Sequence, residues 1–389
     1  MKTPILKAVA MPPRMFWAPM LPAIINLIIQ GAVMILLMVT YSGQINPNVF
    51  MFTIVGIHVC LIAWGTQEPH LSTIIPAWGQ ARSFWDKEDK IKSGVLDPKV
   101  GTEGIIINNR RIRIIRLNGD TTFAANWCKW LMTMARYPVS IHVWQSDQDG
   151  LKLILSAPAS ESYRFKEAVQ DTLSLLREFS PEELDPMDSA RLFTDMLTPK
   201  AKFLKQTGVF VAQNSRGYTA VISVNRPGNN MDTDMIADLL SLDGDIKIDH
   251  SIQVIPSVKV NSLLLREQKM AYFTTFSRNV YEQYTAALEA IDSLSEFPQV
   301  AVNYAMATWI TAPTMAELEG LLVQVVSVFK QYGFQVIREK EMARAYYVRQ
   351  FTDSVIPPRR FLLLSDGVVS VLNLSPHEGQ NNISFGARF

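Results

Sequence analysis

Hydrophobic and charged positions follow two regimes along the chain. Residues 15–67 contain no Lys, Arg, Asp or Glu, and His58 is the sole titratable imidazole there. Two apolar runs, 16–41 and 49–66, lie inside this stretch, each about the 17–25 residues a helix needs to cross a hydrocarbon layer. The loop 42–48, Ser-Gly-Gln-Ile-Asn-Pro-Asn, is polar, uncharged and rich in helix breakers, as suits a hairpin tip. A pair of soluble core helices would show a polar face, and a signal peptide does not explain two consecutive spans. The expected fold class is an N-terminal transmembrane helical hairpin followed by an α+β soluble region.

The flanks orient the hairpin. Lys2, Lys7 and Arg14 precede the first span, and Arg82, Lys87, Lys90 and Lys92 follow the second, so both termini are expected on the cytoplasmic side. Trp17 and Trp64 fit an aromatic belt at that face. Asn26, Gln30 and His58 are polar positions within the spans, where side chains seek a partner helix rather than lipid.

Residues 1–78 are read as membrane hairpin with its juxtamembrane segment, 79–104 as a charged, turn-rich linker, and 105–389 as a cytoplasmic α+β domain that can divide into two halves near 180–216. In the last region strand-like runs 105–107 and 111–117 flank Asn108-Asn109, a tight turn needing positive φ. Helices follow on the spacings Phe123, Trp127, Leu131, Met134, with Asp120 as N-cap, and Phe165, Val169, Leu173, Leu176, with strands 139–144 and 151–156 between them. Residues 146–150 join those strands as a turn. Ser180-Pro181-Glu182-Glu183 has the form of a capping box opening a helix that ends before Pro199.

A second series runs strand 217–224, helix 233–242, strand 246–255 and a long helical region with Val280, Tyr284, Leu288 and Ile291 on one face. Strand 299–310 and a helix capped by Thr314 and Glu317 follow, ended by Gly333 as C′ residue. A short strand 334–337, a helix 339–351 and a stop at Pro357-Pro358 complete it. No strict repeat is visible in this mixture.

Composition locates the remaining constraints. Of 389 residues 48% are hydrophobic and only 19% charged, a deficit that the uncharged stretch explains. Cys60 and Cys128 are the two cysteines, so there is no disulfide framework or zinc motif, in keeping with a reducing compartment. Arg110, Arg111, Arg113 and Arg116 could suggest nucleic acid, but Arg111 and Arg113 alternate with Ile112 and Ile114 as the wet face of a strand does, and the net charge is only +1. No direct nucleic-acid binding is expected. No phosphate loop, dinucleotide-binding glycine cluster, His-Glu-x-x-His or Gly-x-Ser-x-Gly pattern occurs, and His142 reads as a packed or surface histidine. No catalytic, cofactor or metal residues are expected in this chain.

A basic start with Pro12-Pro13, two spans, then Glu68-Pro69-His70 and residues 74–80 resemble the small two-span inner-membrane subunit of type IV secretion and conjugative-transfer systems. From about residue 104 the chain resembles the N-terminal domain of the conjugative-transfer ATPase family of the same machines. That likeness rests on Leu117-Asn118-Gly119-Asp120, the strand 218–227 with Leu239-Leu240 in the next helix, the Ala312-Pro313-Thr314 helix to Gly333, the run 333–339 and the closing segment 361–379.

The resemblance implies a fusion of the two proteins lacking the motor domain. It leaves open a naturally motor-less variant or the front piece of a secretion ATPase whose motor lies beyond Phe389, the end at 384–389 without a polar tail favouring the second. It further implies a structural subunit of the bacterial inner membrane that anchors and assembles the platform. Its partners would be membrane lipid, further copies of itself, other inner-membrane subunits and a secretion ATPase domain in cis or trans, with ATP required only where a motor domain follows.

Overall fold

A computed structural model describes residues 2–41, 46–88, 90–92, 94–101, 103–118, 124–147, 150–196, 202–211, 217–275, 278–292 and 299–372. Most of the tip loop 42–48, the N-cap Asp120 with Phe123, part of the turn at 146–150 and the segment 373–389 lie outside the described residues.

The N-terminal segment lies against the rest of the chain. Strand β1 (Lys2–Pro4), helix α1 (Lys7–Ala10) and the hairpin strands β2 (Arg14–Met15) and β3 (Ala18–Pro19) lead into helix α2 (Met20–Thr40). Phe16 and Trp17 form the two-residue tip of that hairpin with φ of 46° and 66°, the left-handed pair of a tight hairpin turn. Helix α3 (Pro47–Gln67) is capped by the Asn46 side chain, which accepts from the Asn48 amide, and has Pro at its first position. Both helices are long and apolar enough to cross a membrane, and nearly nine-tenths of each span is not buried by protein. Helix α4 (Leu71–Arg82) follows at once.

The large region holds a repeat that the sequence conceals. The first unit runs β4 (Lys99–Gly101), β5 (Gly104–Ile107), β6 (Arg110–Leu117), α5 (Ala124–Met134), β7 (Ser140–Ser146), β8 (Gly150–Pro158), α6 (Ser162–Leu175) and β9 (Pro181–Glu183). Helix α7 (Pro186–Met196) leads to the second unit: β10 (Lys202–Leu204), β11 (Val209–Val211), β12 (Tyr218–Arg226), β13 (Asn230–Asp232), α8 (Thr233–Leu240), β14 (Asp245–Ile255), α9 (Ser257–Thr275), α10 (Arg278–Asp292), β15 (Ala301–Ala312), α11 (Met315–Gln331) and β16 (Gln335–Arg338).

The pairings match strand for strand. In the first unit β4 pairs β5, β5 pairs β6, and β6 pairs both β8 and β9 while β7 pairs β8. In the second, β10 pairs β11, β11 pairs β12, and β12 pairs both β15 and β16 while β14 pairs β15. The second unit differs by the short β13, which pairs β1, and by the α9–α10 hairpin inserted where the first has only a turn. All these ladders are antiparallel, and β7 joins β14 edge to edge from Ser146 against Lys247 to Ile141 against Ile252. Two βαββαβ units thus form one continuous sheet. Helix α12 (Ala343–Arg349), strand β17 (Phe361–Leu364), paired with β15, and helix α13 (Ser365–Leu372) close the described chain.

Alternation along the strands separates two cores. One face carries Ile115, Ile141, Val143, Ile248 and Ile252 and is covered by helices α5, α6, α8, α11 and α13. Trp127, Trp130, Leu131 and Met134 of α5 are buried at the expected helical spacing. The other face carries Ile114, Trp144, Val221 and Trp309 under α4, α7 and α12. A third cluster joins Val260, Leu264, Tyr284 and Ile291 of the inserted hairpin to Val9 of α1.

Several expected turns and caps are present. Asn108 and Asn109 have φ of 44° and 60°. Thr314 accepts from the Glu317 amide at 3.2 Å, and Gly333 (φ +76°) ends α11 with Phe334 N bonded to Phe329 O and Gly333 N to Lys330 O. That pair of bonds satisfies two terminal carbonyls, and the Phe329 and Phe334 rings meet at 6.2 Å.

Other expectations are corrected. The stretch 180–183 is not a capping box: Ser180 is left-handed and 181–183 form β9, because Glu182 and Glu183 pair across the ladder with Arg116 and Arg113. The helix starts instead at Pro186, with Asp185 accepting from the Met187 amide at 2.7 Å. The helix placed at 339–351 is confined to Ala343–Arg349, since Glu339 is drawn into a buried ion pair. Within 79–104, Phe84, Trp85 and Leu96 are buried in the second core; Trp85 packs on Phe203, Phe210 and Tyr347. A tether would expose these side chains.

Candidate joint between the apolar hairpin and the double unit

Three polar positions in the two apolar helices have separate fates. Asn26 is buried, and its Nδ2 donates to the Ile54 carbonyl at 3.4 Å, tying α2 to α3. His58 Nε2 lies 3.1 Å from the Phe16 carbonyl, tying α3 to the β2–β3 tip. Gln30 is half-buried on α2. At Gly65 the approach is closest: a Cβ there would lie 2.5 Å from the Pro19 ring, so only glycine admits this packing.

Glu68, Pro69 and His70 sit where α3 passes into α4, and the structure brings Glu68 and His70 to the double unit. Glu68 pairs with Arg359, whose Nε donates to Glu339 Oε1 at 2.6 Å and whose Nη1 donates to Asn225 Oδ1 at 3.2 Å. Glu339 also accepts from Ser223 Oγ. Arg359 and Glu339 are only 4% and 3% exposed. A pair this buried costs several kcal/mol in desolvation, roughly 3–5 kcal/mol being lost when one partner alone is removed.

His70 is fully buried and packs edge-on against Phe361, ring centroids 5.2 Å apart. Its Nε2 lies 2.9 Å from the Asn225 carbonyl; a carbonyl only accepts, so Nε2 carries the proton. Nδ1 is buried without a partner. Burial, reinforced by the charges of Arg359, Arg226 and Arg360, lowers its pKa to about 3 against the pull of the Asn225 bond, so His70 is neutral.

Two arginines close the end of α3. Arg226 donates to the Thr66 carbonyl, and Arg14 Nη2 lies 3.5 Å from the Gly65 carbonyl. Cations at a helix C-terminus complement both its orphan carbonyls and its dipole. Thr73 Oγ1 donates to Pro358 O, and Gln80 Oε1 accepts from the Ile356 amide at 2.8 Å.

A second polar cluster lies at the seam between units. On the face of the second core, His142 of β7 donates from Nδ1 to Asp249 of β14 at 2.9 Å and from Nε2 to Asp353 at 2.8 Å. Arg349 lies 3.2 Å from Asp353. Burial opposes the imidazolium, but the two carboxylates outweigh it and raise the His142 pKa to about 9. On the opposite face His250 bridges Gln145 Oε1 and Tyr304 Oη, each at 2.7 Å, and burial lowers its pKa to about 4. Both faces of the β7–β14 ladder are therefore fastened by one histidine each.

The arginines of β6 are spent on carboxylates. Arg111 pairs with Glu103 at 2.5 Å, Arg113 with Glu183, Arg116 with Glu182 at 3.6 Å, and Arg110 approaches Asp353 at 3.8 Å. Among the described residues no group of three or more His, Cys, Asp or Glu side chains is placed to hold a metal ion.

Sequence reasoning finds Glu68 and His70 but not Arg359, Glu339, Asn225 or Arg226, which stand 155 or more residues away in the chain. A charged residue in a short polar run gives no sign of burial. One signal was available: Arg359 directly follows Pro357-Pro358, where a rigid turn can aim a side chain inward.

A search of the curated proteins finds no match. Among solved structures, xylooligosaccharide oxidase from Myceliophthora thermophila C1 in complex with xylobiose aligns at 12% identity and a TM-score of 0.28, over 63% of this chain and 50% of that one. Residues 164–355, from α6 through the second unit to just past α12, are similar to the CagE, TrbE, VirB family, component of type IV transporter system.

Proposed function

We propose that the chain is a structural inner-membrane subunit of a type IV secretion or conjugative-transfer machine. In this reading α2 and α3 span the membrane, both termini face the cytoplasm, and the double unit contacts neighbouring subunits. The observation that carries it is the joint. A domain related to a transporter component is held to two apolar helices by the Glu68–Arg359–Glu339 chain and by buried His70. Such an attachment fixes the orientation of the domain relative to the membrane plane, where a flexible linker would let it swing. Confinement to one plane raises the effective concentration of assembling domains. The partners are further copies, other inner-membrane subunits and a secretion ATPase domain in cis or trans.

The chain itself is proposed not to hydrolyse nucleotide, because its sequence has no glycine-rich loop followed by Lys-Ser/Thr to cradle phosphates and magnesium. The family match equally supports the front portion of a secretion ATPase. Protein purified in detergent should form a defined oligomer by native mass and show no magnesium-dependent ATP hydrolysis. Turnover surviving stringent purification defeats the scaffold reading, and a strictly monomeric protein that binds no secretion subunit defeats the assembly reading.

A further inference from the structure

A cavity of about 380 Å³ opens beside the joint, between the N-terminal segment, the ends of β12 and β16 and the inserted α9–α10 hairpin. Lys7, Arg14 and Arg226 line it, with Glu267 as the acidic member. Glu267 already faces Arg266 at 3.1 Å, so the cavity keeps an excess of positive charge. Arg14 and Arg226 are close enough that Arg226, after burial, lowers the pKa of Arg14. Arg226 also has a buried Nε with no acceptor. Two guanidinium groups held near each other suit an oxyanion placed between them.

The position of this charge is as telling as its sign. Arg14 and Arg226 reach the Gly65 and Thr66 carbonyls, in the last turn of α3. Phe16 and Trp17, forced into left-handed φ at the β2–β3 tip, and Trp64 on α3 are 45%, 51% and 54% exposed close by in the chain. Large aromatic side chains at the end of an apolar helix mark the headgroup level of a bilayer.

We propose that this cavity binds the phosphate of an anionic phospholipid headgroup, with Arg14, Arg226 and Lys7 supplying the charge and the uncovered surface of α2 and α3 receiving the acyl chains. A free phosphate would satisfy the same arginines; the apolar helices and aromatic tip beside them favour the lipid. The proposal rests on the membrane-spanning reading of α2 and α3.

The test uses the full chain purified in an uncharged maltoside detergent and titrated, by native mass spectrometry, with dioctanoyl phosphatidylglycerol, dioctanoyl phosphatidylcholine and inorganic phosphate. One saturable phosphatidylglycerol should bind at least about tenfold more tightly than phosphatidylcholine, each of the three basic groups contributing up to roughly fivefold near an anionic headgroup. Lys7→Gln, at an exposed position, should weaken phosphatidylglycerol about fivefold and leave phosphatidylcholine unchanged. Arg226→Gln should weaken it further. Equal binding of the two lipids, displacement by equimolar inorganic phosphate, or unaltered affinity in both variants overturns the proposal. Carbonate extraction of the membranes from which the same proteins are purified reports on membrane insertion separately: a chain that resists extraction yet does not distinguish the lipids overturns the headgroup site alone.

Discussion

The two units of the sheet are built on one plan and finished differently. In the first, the ladder of β6 with β9 is bridged by Arg113–Glu183 and Arg116–Glu182, partly or largely exposed pairs. In the second, the corresponding ladder of β12 with β16 ends in Glu339, buried against Arg359 and linked through it to Glu68. The first joins its middle strands by a turn, whereas the second inserts a helical hairpin that packs on α1. Both changes fall on the unit that meets the apolar helices. A duplicated frame has thus kept one copy plain and turned the other into an attachment point.

The largest expected difference between the units is energetic. Arg359→Leu leaves Glu339 buried without its partner and should destabilise the detergent-solubilised protein by roughly 3–5 kcal/mol. Arg116→Leu in the first unit should cost no more than about 1 kcal/mol, as exposed pairs do. Denaturant midpoints of the two variants measure the contrast, and equal losses would remove it.

A smaller effect, on the order of 1–3 kcal/mol, is expected from pH, since each unit of pKa shift corresponds to about 1.4 kcal/mol. His142 titrates near 9 in the fold and near 6.5 when unfolded, so its contribution is complete below 6.5 and fades as pH rises towards 9. His70, lowered to about 3, acts in reverse: below 6.5 the unfolded chain takes up a proton that the fold refuses, and stability falls with pH. Unfolding curves at pH 5, 7 and 9 should show a maximum near neutrality. His142→Gln should flatten the alkaline side, and His70→Gln should flatten part of the acid side, the remainder belonging to His250, lowered to about 4, and to carboxylates. A His142→Gln profile parallel to that of the parent would refute the seam assignment.

The smallest effect on the sheet should follow from excising the insertion. Replacing 257–297 by a short turn removes the third cluster but no strand of the repeat. Circular dichroism should show lost helix with the strand signal retained, and protease sensitivity should rise in the N-terminal segment. Collapse of the sheet signal would mean that the hairpin is part of the frame.

What could be read from the sequence was local. The uncharged stretch, the Asn108-Asn109 turn, the Thr314 cap and the Gly333 terminus each announce themselves within a few residues, because backbone sterics and helix ends are satisfied by near neighbours. The duplication could not be read, since it lies in the order of strand pairing and is masked by the helical hairpin inserted over 257–292. The same short range produced the misplaced helix start at Ser180. Pro181-Glu182-Glu183 fits a capping box locally, but the arginines of β6 claim both glutamates. The candidate site was half visible for the same reason: Glu68 and His70 stand in a short motif, whereas the groups that fix them converge only in three dimensions.

Whether residues 68–82 belong to the double unit or to the two apolar helices is decided by comparing two truncated proteins, one beginning at Glu68 and the other at Gly79. Leu71, Thr73 and Ala77 are buried together with His70, so the protein beginning at Glu68 should leave carbonate-washed membranes, remain soluble and unfold in one cooperative thermal transition. The one beginning at Gly79 should melt many degrees lower or aggregate. Equal melting temperatures for the two, or retention of the Glu68 protein in washed membranes, would contradict the joint.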